Sequence, residues 1–349
     1  MRIACFIPLL SACLTMAAKP PADAPWQFVV QWDNDIFAGD DNNYTNGGRV
    51  AFLQELAPGM DADTGLRRLL YPLSGADESP AFGDWRLRGT EDLRFAWGFG
   101  LTQLMFTPDD PNAPTAPDGE RTYAGWLGLE LSLHAKDEVS VSSVTLSLGT
   151  TGENSYADEL QTWVHEEITD GPVFQGWDSQ VPGEATINLH FDHKRSLGFT
   201  PDAEFGFDGY WEWGAALGNF RTDAYLGSLL RAGYNLPATY SIPRLQLGSY
   251  GHELFRPADA DASPFSALGF IGLRATAVAH DITLDGPVFR DFDTGVDREP
   301  FVGELLIGLS LHYKSCELSL SHTLRSDEFE GQSDKQTFGS VLLRLSTCF

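Results

Sequence analysis

"FVGELLIGLSLHY", residues 301–313, sets Phe301, Leu305, Ile307, Leu309, Leu311 and Tyr313 on one side of a period-2 pattern. Glu304, Ser310 and His312 fall on the other. Successive side chains of an extended strand point to opposite faces, so this run is a strand with one apolar face and one polar face. Strands of globular proteins are mostly about 5–6 residues long. A run twice that length, with apolar residues on one face throughout, suits a bilayer crossing, which takes about 9–11 residues of tilted strand.

The same alternation recurs along the chain. In "WQFVVQWD", Trp26, Phe28, Val30 and Trp32 oppose Gln27, Gln31 and Asp33; near the C-terminus, Val341, Leu343, Leu345 and Phe349 alternate with Ser340, Arg344 and Ser346. Between 316 and 326, Leu318, Leu320 and Leu324 oppose Ser319, Ser321 and Arg325. Further strands fit near 44–56, 92–106, 120–134, 139–151, 183–195, 202–218, 222–234 and 265–283, which brings the expected number to 12. An even number of long alternating strands, without a run of about 18 apolar residues after residue 20, predicts an all-β fold. The expected form is a 12-stranded antiparallel transmembrane β-barrel. A secreted β-sandwich also alternates, but with shorter strands.

Arg2, the apolar run "ACFIPLLSACLTMAA" and the following small residues read as an export signal over residues 1–18, leaving 19–349 as a single outer-membrane barrel domain. "LSAC" at 10–13 also has the look of a lipoprotein cleavage box, behind a short apolar run; cleavage near Ala18 is preferred. Arg2 is the one charged residue in 1–18, so removing it takes the net charge from −26 to −27. That acidity excludes nucleic acid as a partner and opposes simple adsorption to anionic lipid. A lipid phosphate bridged by a divalent cation stays compatible with it. Cys5 and Cys13 lie in the signal, leaving Cys316 and Cys348. These two sit near the same barrel end but on opposite parity, so a disulfide between them needs a bulge or a bent terminus.

Barrels of this type keep both termini and the short turns on the periplasmic side. The loops after Asp33, Phe106, Gly149 and Thr283 are then extracellular or at the outer-leaflet rim. Among them, "TGENSYADELQTWVHEEITDGPVFQGWDSQ" breaks the alternation. Ser155 with Asp158 three residues on can cap a helix, and Gly171-Pro172 would end it, predicting a short rim helix near 155–167. Its spacing sets Asp158, Gln161 and His165 one turn apart along a face. His165 is the one histidine of eight placed on that helix. Beside Gln161 it is a candidate general base.

The acidic stretch "WDNDIFAGDDNNYTNGG", residues 32–48, invites comparison with a helix-loop-helix calcium loop. Counted from Asp33, however, position 5 is Phe37, position 6 is Ala38 and position 12 is Tyr44, where that loop needs an oxygen ligand, Gly and Glu. A cation here would need ligands from elsewhere in the fold.

"NDIFAGDDNNYTNGG", "GERTYAGW" at 119–126, "LQTWVH" followed by "QGWDSQ" at 175–180, and a last strand beginning "FGS" and ending in Phe together resemble the lipid A 3′-O-deacylases of the outer membrane. The resemblance runs over essentially the whole mature chain. It implies a 12-stranded barrel, calcium-dependent ester hydrolysis on the lipid A of lipopolysaccharide, and a site facing the outer leaflet; it implies nothing about a protein partner. It also implies a site of Asn34, Asp35, Thr45, Gln161 and His165, with His165 activating a water and calcium (Ca2+) near Asn34 and Asp35. By parity Asp35 points into the lumen, whereas Asn34 shares the outward parity of Trp32 and must lie beyond the apolar band or on a twisted strand.

The resemblance further implies an acidic residue after His165, for which Glu166, Glu167 and Asp170 compete. The loop "TPDDPNAPTAPDGE" at 107–120 carries no Lys or Arg to meet a lipid phosphate, leaving Arg121 as the nearest candidate. Glu130, Glu304 and Arg344 read as lumen-filling polar residues, and Trp126, Trp163, Trp177, Trp211 and Trp213 as interfacial belts or site walls. Two other functions are compatible with the same pattern: a phospholipase-type lipid esterase, and a non-catalytic barrel serving as pore or scaffold.

Overall fold

The computed structural model describes residues 26–35, 43–56, 94–136, 139–169, 173–198, 204–237, 239–240, 243–250, 264–332 and 336–346. The export signal at 1–18, the acidic loop from Gly39 to Asp41, Asp170, Gly171, Pro172, Cys348 and Phe349 lie outside them, so the signal and the Cys316–Cys348 pairing do as well.

Twelve strands among the described residues close into one barrel. They are β1 Trp26–Asn34, β2 Asn43–Glu55, β3 Arg94–Thr107, β4 Ala124–Lys136, β5 Ser140–Thr151, β6 Ala185–Ser196, β7 Phe205–Gly218, β8 Arg221–Tyr234, β9 Phe265–Asp281, β10 Phe301–Tyr313, β11 Cys316–Arg325 and β12 Gln336–Ser346. Every neighbouring pair is antiparallel, and β1 closes onto β12 with Gln27 opposite Ser346 and Asn34 opposite Gly339. The sandwich is thereby excluded, because a closed sheet has no edge.

The alternation behaves as the sequence dictates. In β10, Phe301, Ile307, Leu309, Leu311 and Tyr313 are exposed while Glu304, Ser310 and His312 are buried. Across the barrel wall, Leu101, Leu129, Ile187, Leu226, Leu273 and Leu320 are likewise exposed. Large apolar side chains arrayed on the outside of a closed sheet are what hydrocarbon contact requires. Aromatic residues collect towards the end that carries the termini, where Trp26 stacks on Phe52 at 6.0 Å and Trp97 on Phe99 at 6.3 Å.

The lumen is polar and full. Glu130, Glu304 and Arg344 are buried there, as expected: Glu130 pairs with Arg49 at 2.8 Å, Glu304 with Arg244 and Arg325 at 2.9 Å each, and Arg344 with Glu317. Trp126 also fills the lumen, packing tilted against Phe220 with centroids 4.7 Å apart and donating to Thr186 at 2.8 Å. Trp211 and Trp213 cover His193 instead, with ring centroids 5.8 and 6.0 Å away.

One element of the lumen departs from the expected plan of short turns at the termini end. The connection from β8 to β9 is long and leaves the termini end, and its residues 243–250 run inside the barrel. The Leu245 amide donates to Asp33 Oδ2 at 3.0 Å and the Gly248 amide to Glu130 Oε2 at 2.9 Å. Arg49 donates to the carbonyls of Gln246 at 2.7 Å and Ser249 at 3.2 Å. Gly248 adopts φ +73°, and a Cβ there would stand 2.2 Å from His190 Cβ, so both conformation and space demand glycine. This strap crosses the space that an open pore would need, leaving beside it a cavity of about 120 Å³ lined by ion-paired side chains such as Arg274 and Glu304.

Candidate active site

The opposite end of the barrel carries the predicted site residues. β1 ends at Asn34 and Asp35 opens the following turn, so the alternation that assigned Asp35 to the lumen stops one residue before it; its carboxylate is fully buried. Asn34 is 3% exposed although it shares the outward parity of Trp32. Its amide nitrogen donates to the Thr45 carbonyl at 3.0 Å, which folds the side chain back across the hairpin.

Thr45 owes its position to a β-bulge. On β2, Tyr44 pairs with Phe106 and Asn46 with Met105, so Thr45 is the extra residue between them. A bulge re-aims side chains and breaks the two-residue period. Tyr44 consequently points into the lumen against Phe338, with centroids 5.0 Å apart, whereas Asn46 faces outward and accepts from Trp32 Nε1 at 2.9 Å. Thr45 Oγ1 lies 2.6 Å from Thr107 Oγ1 on β3.

The rim helix is present in the expected place with a different cap. A 3-10 turn, Gly152–Ser155, leads into α1, Ala157–Val164, and a π-helical turn, His165–Thr169, follows. Ser155 does not cap the helix; its hydroxyl donates to the Gly152 carbonyl at 2.6 Å, and Tyr156 occupies the cap position at φ 54°. Close approach to the barrel explains why. A Cβ on Gly125 would stand 2.2 Å from Ser155 Oγ and 2.5 Å from Ala157 Cβ, so the helix start is pressed against β4 and the serine is turned inward. Gln103 on β3 donates to the Ser155 carbonyl at 2.5 Å.

Gln161 and His165 share the buried face of this helix, at 2% and 3% exposure. His165 opens the π turn, a distortion frequent at functional sites, and its ring meets Phe174 edge-on at 5.8 Å. Gln161 Oε1 accepts from Trp177 Nε1 at 2.8 Å, while its amide nitrogen is buried with no hydrogen-bond partner among the described residues. A buried donor left unmet costs about 1–3 kcal/mol, which suits a group awaiting an acceptor from a ligand. Tyr123 packs on Trp177 at 5.4 Å and donates to the Ala113 carbonyl at 3.2 Å; burial pushes its phenol up to about 12, so it stays a protonated donor.

The five predicted residues therefore fall into two groups at one barrel end. Asn34, Asp35 and Thr45 sit at the β1–β2 hairpin, and Gln161 and His165 on α1. Met105 joins them: it opposes Asn46 on one side and Gly125 on the other, and packs with Tyr123, Ala157, Phe174 and Trp177. Met105, Gly125 and Thr107 all face outward, so the site lies on the barrel's outer wall at the rim rather than in the lumen. Of the acidic residues after His165, Glu166 and Glu167 are exposed. Arg121 does not serve as an exposed phosphate contact. It is 1% exposed, donates to Glu328 at 3.2 Å and Thr283 at 2.8 Å, and lies 4.3 Å over the Phe106 ring.

Sequence reasoning missed Thr107, Met105 and the structural role of Trp177. "QGWDSQ" marked the segment, but the Trp177–Gln161 bond spans 16 residues and has no local period. Trp177→Phe is expected to leave the barrel folded and to lower turnover by roughly tenfold, the equivalent of about 1.4 kcal/mol for one lost buried hydrogen bond. Turnover with unchanged heat-modifiable mobility of the barrel on gels checks this.

Calcium takes six to eight hard oxygen ligands. No group of three or more acidic, His or Cys side chains gathers as a metal cage among the described residues. The donor chemistry of Asp35 and Asn34 nonetheless suits calcium: a buried carboxylate and a neighbouring carboxamide are both hard oxygen donors. Ligand and water oxygens would complete the shell.

A closed 12-stranded barrel with an apolar outer wall, a polar filled lumen and a polar cluster at its outer rim defines an outer-membrane barrel protein. The family model of outer membrane protein LpxR matches residues 3–347, and the chain belongs to that family. Among solved structures, LpxR from Salmonella typhimurium is similar in fold, with a TM-score of 0.68 and 17% identity over 91% of this chain and 99% of that one. The β domain of the Bordetella autotransporter BrkA aligns with a TM-score of 0.39 and 11% identity, over 93% of this chain and 99% of that one. No curated protein matches the chain by sequence.

Proposed function

We propose that this protein is an outer-membrane esterase that removes the 3′-O-linked acyl or acyloxyacyl group of lipid A, with its site turned to the outer leaflet. Family membership supports the substrate class. The observation that carries the chemistry is the pairing of a buried histidine with an unmet buried amide donor on the lipid-facing side of the rim. That position lies outside the lumen, which the strap crosses, so in this reading a lipid ester approaches it from the membrane plane and parts the aromatic cover of Phe174 and Trp177.

In this reading His165 accepts a proton from water as the water oxygen attacks the ester carbonyl. Gln161, held through its oxygen by Trp177, donates its amide N–H to the carbonyl oxygen as negative charge develops there. The bulged Thr45 and Asn34 fix the floor of the site. His165 then returns the proton to the departing 3′-oxygen, giving a free fatty acid and a 3′-hydroxyl. Asp35 and Asn34 would hold calcium, which when bound would supply Lewis-acid polarisation of the ester carbonyl.

Purified protein mixed with lipid A and calcium is expected to release the 3′-linked chains, seen as a mass loss in the lipid A. Chelation should stop the release, and added calcium should restore it. Asp35→Asn should raise the calcium concentration required. Appearance of lysophospholipid with lipid A intact would instead establish a phospholipase. Conductance in planar bilayers without hydrolysis would establish a pore, against which the strap argues.

A further inference from the structure

Helix α1 has three sides rather than two. Ala157, Gln161, Val164 and His165 face the barrel and are buried. With 3.6 residues per turn, Leu160 and Trp163 stand on one apolar flank, and the exposed Tyr156 caps the helix start; Tyr156, Leu160 and Trp163 are 60%, 38% and 52% exposed. Asp158, Thr162 and Glu166 form the other flank, with Glu159 at the border one turn before Trp163; the three acidic residues among these four are exposed.

A helix that only packs on a barrel has no use for an exposed line of Tyr, Leu and Trp. A helix lying in a membrane interface does: its apolar side enters the acyl boundary and its charged side meets water, with Trp and Tyr favoured at that depth. The wall beneath the helix supplies the continuity. Helix α1 is seated on the outer face of β3 and β4, the strands whose Phe99, Leu101, Leu129 and Leu131 form part of the exposed apolar band.

We propose that the Tyr156–Leu160–Trp163 flank inserts among the acyl chains of the lipid leaflet at this end of the barrel. The helix is then a three-way wedge between barrel wall, hydrocarbon and water. The flank sets the depth at which Gln161 and His165 stand. The occupant is membrane hydrocarbon rather than a second copy of the chain, because the flank extends a surface that already faces lipid.

The test reads depth, not catalysis, so its outcome is independent of the deacylase reading. Trp163→Cys, Leu160→Cys and Asp158→Cys are each introduced into a Cys316→Ser, Cys348→Ser background and labelled with bimane. The proteins are reconstituted in phosphatidylcholine vesicles carrying acyl-brominated lipid. Bimane at 163 and 160 should be quenched several-fold more strongly than at 158. Equal quenching on both flanks, or none at 163 and 160, would overturn the proposal. Shielding of 163 that appears only at high protein-to-lipid ratio would overturn it in favour of a second copy. Should Trp163→Cys fail to give the folded gel form, the label at Leu160→Cys gives the same reading.

Discussion

His165→Ala is expected to lower lipid A deacylation by about 10²–10⁴-fold, the usual contribution of a positioned general base. The loss should fall on kcat, because the histidine acts on water in the transition state rather than on the bound lipid. The scaffold makes this a clean experiment. His165 opens a π turn at the end of α1, and the helix is held on the barrel by Ala157, Val164 and the Gln103 bond, none of which involves the imidazole. The variant should therefore insert and migrate as folded barrel. His165→Gln, which keeps much of the volume beside Phe174, should be as inactive as the alanine variant, since size is not what is missing. The measurement is the lipid A mass shift in cells expressing each form. Release at the wild-type rate from either variant would remove His165 from the mechanism and leave the fold assignment untouched.

Glu130→Ala is expected to destabilise the barrel by about 3–5 kcal/mol, the range found when one partner of a buried ion pair is removed. Both Arg49 and Glu130 have no exposed side-chain surface. Glu130 also accepts from Thr102 at 2.5 Å and from the Gly248 amide of the strap at 2.9 Å. Its loss strands a guanidinium and a backbone donor together, deep in the barrel. Arg49 keeps its bonds to Gln246 and Ser249, so the strap should loosen rather than leave. Glu130→Gln should cost less, because the amide oxygen can still accept from Gly248. The check is the guanidinium unfolding midpoint, with the temperature at which the folded gel band is lost as a second reading. A midpoint unchanged by Glu130→Ala would mean that water fills the site and that the strap does not depend on this pair.

Much of the fold was legible because barrel strands carry a local code. Alternation of apolar and polar residues needs no knowledge of the partner strand, and it placed all twelve strands to within a few residues. The runs 301–313 and 316–326 were matched almost residue for residue by β10 and β11. The candidate site residues came by another route: a resemblance attached to short motifs pointed to Asn34, Asp35, Thr45, Gln161 and His165. Parity alone could not gather them: it set Asn34 outward and Asp35 inward, and the Asn34 amide bond to the Thr45 carbonyl shows only in the folded hairpin.

By itself, then, the sequence determined the strand period, the strand number, the apolar outer wall and the break at the rim helix, because each is set by residues close in the chain. Only the tertiary structure decided the rest. The Thr45 bulge depends on how β2 meets β3, and the cap at Tyr156 depends on how closely the helix start approaches Gly125. Contacts such as Arg49 to Ser249, 200 residues apart, place the strap in the lumen through backbone carbonyls that every residue possesses. A carbonyl leaves no mark in a sequence, so neither a filled lumen nor a site on the outer wall could be read before the barrel was closed.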